Sequence, residues 1–98
     1  MVLDSVIKRL MLTAINYAIG EAKERAKLSG MVELKKSLGI SDSDDFRAGM
    51  ICGEAYARAA LMIRMYMGRE ATLEEANGLL ALLANRDGEI SGALFKRP

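Results

Sequence analysis

The side chains in this sequence that could do chemistry are carboxylates, one thiol, and lysine or arginine cations, because histidine is absent and cysteine occurs once. Without histidine the common zinc shells and the commonest general base are lost, and one cysteine builds no disulfide framework. Three groupings are left. The run Asn85-Arg86-Asp87-Gly88-Glu89-Ile90-Ser91 orders its oxygens and glycine like the middle of an EF-hand calcium loop. The first and twelfth positions of such a loop would be Leu83 and Leu94, so both anchoring carboxylates are missing and the segment reads as a turn between helices. Glu21 and Glu24, followed by Asp42, Asp44 and Asp45, could pair carboxylates around Mg²⁺. The second set falls where a helix should begin, and N-capping together with the helix dipole accounts for it. Cys52 lies on an apolar side of its helix, where burial raises a thiol pKa and suppresses its nucleophilicity. No nucleophile with a base and no metal shell can be assembled, so the expectation is a non-enzyme without cofactor or metal.

A different anomaly is charge on apolar helical arcs. Glu21 and Arg25 share an arc with Leu3, Leu10, Ala14 and Leu28, and Arg64 falls between Phe46, Ala57 and Leu61. Such charges are paired, extend to water, or line a polar pocket or subunit contact. Glu21 and Arg64 are the pair this pattern suggests first. Gly49 and Gly53 add a second kind of candidate, since glycines on an apolar helix face admit close approach of another backbone. On that expectation Gly53→Leu would overpack a helix contact. Glu21, Arg25, Gly49, Gly53 and Arg64 are thus the candidate interface or polar-pocket residues.

The elements that must carry these residues are helices. Residues 3–28 place Leu3, Val6, Ile7, Leu10, Met11, Ala14, Tyr17, Ala18 and Leu28 on one arc, and Ser29-Gly30 offers a stop. A short helix over 31–38 ends at Gly39. The acidic run Ser41 to Asp45 supplies caps for a long helix over about 45–67, ended by Gly68. That helix is apolar nearly all round. Its main seam runs through Gly49, Cys52, Gly53, Tyr56, Ala59, Ala60, Ile63 and Met67, and its water-facing strip through Arg47, Glu54, Arg58 and Arg69. It is therefore expected to be the largely buried central rod of the fold or part of an oligomer interface. Thr72-Leu73-Glu74-Glu75 is a capping box that opens a fourth helix to about Asn85, with Leu73, Ala76, Leu79, Leu80 and Leu83 as its core stripe. A short segment over 90–95 and a basic end, Lys96-Arg97-Pro98, close the chain. No strand pattern or repeat is visible. The expected fold is all-α, a compact bundle of four to five helices forming one domain over residues 1–98.

Ninety-eight residues suffice for one core, and 51% hydrophobic with 28% charged residues is a globular composition. Fourteen lysines and arginines against thirteen acids leave +1, too little for a global field that attracts nucleic acid or an acidic membrane. The longest uncharged run, Leu10 to Gly20, is too short to span a bilayer. Lys8 and Arg9 ahead of it imitate a secretion signal, but Asp4, Asn16 and periodicity continuing to Leu28 favour an ordinary helix and a cytoplasmic location. Seven methionines and many alanines suit an adaptable protein-binding surface. The expected function is a helical protein-interaction and self-association module, a homo-oligomer and most simply a two-fold homodimer, with any further protein partner unspecified. The alternative is a small nucleic-acid-associated protein using Lys8, Arg9, Lys23, Lys27, Lys35 and Lys36 as an N-terminal basic face.

Overall fold

The computed structural model describes residues 4–25, 30–39 and 44–90, excepting the side chains of residues 23, 25, 30–32, 44 and 45. It contains helices α1 (Ser5–Arg25), α2 (Gly30–Leu38), α3 (Asp44–Met67) and α4 (Leu73–Ala84), followed by a helical turn at 87–90. The described residues contain no strand. The expected stop at Ser29, the caps at 41–43 and the segment 91–98 lie outside them.

Each described helix end has a local cause. Asp4 Oδ1 accepts hydrogen bonds from the Val6 and Ile7 amides, at 2.8 and 3.4 Å, and so starts α1. Gly39 and Gly68 take φ of +68° and +69°, which an L side chain rarely adopts, and end α2 and α3. The capping box of α4 is complete: the Glu75 amide donates to Thr72 Oγ1 at 3.1 Å, and the Thr72 amide donates to Glu75 Oε1 at 2.9 Å.

The core comes from α1, α3, α4 and Ile90. From α1 it takes Ile7, Leu10, Met11, Ala14, Ile15 and Ala18, at the spacing of one helical face. From α3 it takes Ile51, Ala55, Ala59 and Ile63, every fourth residue, and from α4 Leu79 and Leu83. Ala55 and Ala59 in the middle of α3, with Ala14 and Ala18 on α1, let these helices pack closely, and Ile51 and Ile63 fill the ends of the α3 stripe. Arg69, just past α3, experiences the charge of Asp4 at the start of α1, and Arg58 lies on the Tyr17 ring near the end of α1. The two helices therefore run antiparallel. α4 starts beside Met11 and Ile63 and ends beside Ala48 and Cys52, antiparallel to α3 in turn.

Two expectations change. The bundle is elongated rather than compact, with extents of 40 × 26 × 19 Å and a radius of gyration of 14.6 Å, against ~13 Å for a compact chain of this size. The 24-residue α3 alone spans ~36 Å of the long extent, and α2 packs extensively on none of the other described helices and leaves Leu34 and Leu38 exposed. Its Lys35 ammonium stands over the Phe46 ring at 5.8 Å. The second change concerns α3, which is not largely buried. α1 and α4 cover the side bearing Ile51 and Ala55, neither of which belongs to the main apolar seam, and leave Gly49, Gly53, Ala57 and Leu61 outside. Because α3 is apolar nearly all round, its own pattern does not choose the buried side; the neighbouring helices do. Similarly Leu73 and Leu80 of the expected α4 stripe are exposed, as are Val6 and Tyr17 of the α1 arc.

Candidate functional site

Among the described residues the outer face of α3 is uncovered and apolar. Leu61 is 56% exposed and Met65 71%, while Tyr56 and Met67 are each close to half exposed. Gly49, Gly53 and Ala57 of the same helix are exposed as well. Among the described residues nothing lies within 4 Å of the position a Cβ would take at Gly49 or Gly53. The expected close helix approach at these glycines is therefore not made inside one chain, because α1 and α4 pack on the other side. In dilute, monomeric chain Gly53→Leu is consequently expected to raise stability by ~1 kcal/mol through helix propensity instead of overpacking. Thermal melting at low concentration checks this, and a lower melting temperature would restore a packed environment for Gly53.

Polar clusters border this face near the middle of α3 and beyond its end. Near the middle of α3, Arg58 Nε donates to Glu54 Oε1 at 2.6 Å, and the Arg58 guanidinium stacks on Tyr17 with its carbon 3.5 Å from the ring centroid. Hydrogen bonding to Glu54 raises the Arg58 pKa, with Tyr17 and Glu21 adding to it against some burial. Beyond the end of α3, Arg69 forms a fork on Glu75, with Nη1 and Nη2 donating to Oε1 and Oε2 at 2.8 and 2.9 Å. This pairing, together with the Thr72 amide, holds the Glu75 carboxyl at about 2, well below the usual range, despite 8% exposure of the residue. The capping box was legible in the sequence. Its union with Arg69 was not, although an arginine six residues before the box glutamate was the available signal.

The predicted charge anomalies resolve separately. Arg64 Nη1 lies 3.2 Å from Glu70 Oε1, with both side chains at least 70% exposed. Glu21 is half-buried and its field reaches Arg58. The antiparallel packing of α1 and α3 puts Glu21 and Arg64 at opposite ends of the bundle, so the suggested pair does not form within one chain. The Arg25 side chain lies outside the described residues.

The calcium-like loop serves as a tie. Arg86 donates through Nε and Nη2 to both oxygens of Glu89, at 2.6 and 2.7 Å, and through Nη2 to Asn16 Oδ1 on α1 at 2.6 Å. Asp87 Oδ1 accepts from the Gly88 amide at 2.8 Å. Among the described residues no three Cys, Asp or Glu side chains converge on a point that could hold a metal ion. Cys52 is half-buried at a shallow open groove bordered by Ala48, Leu80, Leu83, Ala84, Asp87 and Ile90. No described helix is long and apolar enough to cross a membrane.

Of the basic residues read as a face, Lys8, Arg9 and Lys36 are exposed, Lys35 is half-buried near Phe46, and the side chains of Lys23 and Lys27 lie outside the described residues. Lys8 and Lys23 are separated by ~22 Å along α1. Among the described residues α3 presents an apolar face bordered by ion pairs. Compared with known proteins, the chain matches no family model, no curated protein and no solved structure.

Proposed function

We propose that this chain is a small helical interaction module that associates with copies of itself through the outer face of α3 and carries no catalytic activity. The observation that carries the reading is the uncovered apolar side of α3. A folded monomer of 10.7 kDa has roughly 5,500 Å² of accessible surface, whereas this chain has 6636 Å². This excess of roughly 1,100 Å² belongs to the whole chain, α2 included, and is in keeping with apolar surface left uncovered. Methionines on α3, among them Met65 and Met67, supply the deformable apolar surface that such contacts use. The expected setting is cytoplasmic. A nucleic-acid role draws less support, since the exposed cations are spread along α1 and α2 and the net charge is +1.

Light scattering at tens of micromolar tests the proposal. The expected result is twice the chain mass for the native protein. Leu61→Glu is expected to return the mass to that of one chain with helix content unchanged, because Leu61 is exposed and makes no part of the core. A native protein already monomeric at that concentration would remove the proposal.

A further inference from the structure

We infer that the segment 91–98 is a strap that seats Leu94 and Phe95 in the groove between α3 and α4 and covers the Cys52 thiol. This contact lies within one chain and stands apart from the self-association proposed above. The groove encloses about 320 Å³, and apart from Asp87 and the thiol its lining is aliphatic. Leu80 on its wall is 54% exposed, although the apolar pattern of α4 places it on the stripe that faces other helices.

The occupant is this chain's own segment for three reasons. Ile90 is both a wall of the groove and the last described residue, so the segment departs from the groove itself. Its sequence, Ser91-Gly92-Ala93-Leu94-Phe95-Lys96-Arg97-Pro98, then brings two large apolar side chains in succession. Leu94 is four residues past Ile90, ~6 Å along a helix and at most ~14 Å along an extended chain, so either conformation keeps it within reach. Thirdly, Lys96 and Arg97 follow at once, and Asp87 is the acid that borders the groove. A tether this short gives the segment an effective concentration of roughly millimolar, which a free partner would have to exceed.

Cys52 is the sole cysteine and half-buried at the groove, so its labelling rate reports the cover. The full chain and a variant carrying both Leu94→Glu and Phe95→Glu are reacted with a water-soluble aromatic disulfide, and circular dichroism is recorded on each. The variant is expected to react roughly tenfold faster at unchanged helix content. Lys96→Glu sets like charge beside Asp87 without altering the apolar residues, and it is expected to react about twofold faster. Protection of the native thiol is expected to be the same over about a hundredfold range of protein concentration, as an intramolecular contact requires. A folded double variant that reacts at the native rate would overturn the inference. If that variant loses helix, Lys96→Glu reacting at the native rate would do so instead. Protection that grows with protein concentration would also overturn it, by assigning the groove to a second copy.

Discussion

Ile63→Ala is expected to destabilise the protein by ~3–5 kcal/mol, the largest loss from any single truncation considered. Ile63 is 1% exposed and sits where three helices meet, with Met11 of α1 and Leu79 of α4 around it and Ala71 closing the turn between α3 and α4. The space beside these residues amounts to about 10 Å³, at the lower limit for one water, so the site is already tightly filled. Neighbours held by three separate helices cannot all move inward to fill a lost side chain, and the cavity cost adds to the lost burial. A domain of this size has ~5–15 kcal/mol in total, so the variant should lose a large fraction of its stability and some 15–30 °C in melting temperature. Urea denaturation measures the difference. Met65→Ala, two residues away but 71% exposed, is expected to change stability by less than ~0.5 kcal/mol and serves as the control. A loss below ~1 kcal/mol for Ile63→Ala would show that the junction is not where the helices are held together.

Glu75→Gln is the second change of large expected effect, and it acts mainly through pH. The Glu75 carboxyl is held at about 2, first by the Arg69 guanidinium and then by the Thr72 amide, with burial opposing both. Its ordinary value in an unfolded chain is about 4.3, so the folded protein binds this proton less tightly than the unfolded chain does. The stabilisation is therefore fully present above that ordinary value and is lost as pH falls toward 2. A shift of this size corresponds to roughly 2–3 kcal/mol at neutral pH. Glu75→Gln keeps an oxygen for the Thr72 amide but forfeits the charged fork to Arg69. It should be less stable by about 2 kcal/mol at pH 7 and nearly equal to the native protein at pH 2. Denaturation curves collected from pH 7 to pH 2 compare the slopes. If the variant loses stability between pH 4.5 and 2 as steeply as the native chain, other carboxylates carry the acid response and Glu75 is only a cap.

The order and type of the helices were legible because each rests on local signals. Gly39 and Gly68 end α2 and α3 with positive φ, and Thr72 with Glu75 opens α4; each acts within a few residues and reads the same in sequence and structure. The apolar arc of α1 was likewise readable, since Lys8 and Arg9 opposite Ile7, Leu10, Met11 and Ala14 leave one side for the core. Tertiary packing decided what local signals could not. α3 is apolar on nearly every side, so choosing Ile51, Ala55, Ala59 and Ile63 for the core required the positions of α1 and α4, and Gly53 and Leu61 fell outside as a consequence. Arg64 found Glu70 instead of Glu21 for the same reason: helical periodicity fixes the side of a helix a charge occupies, whereas its partner depends on which end of the neighbouring helix lies beside it, and that is set by chain direction in the folded bundle.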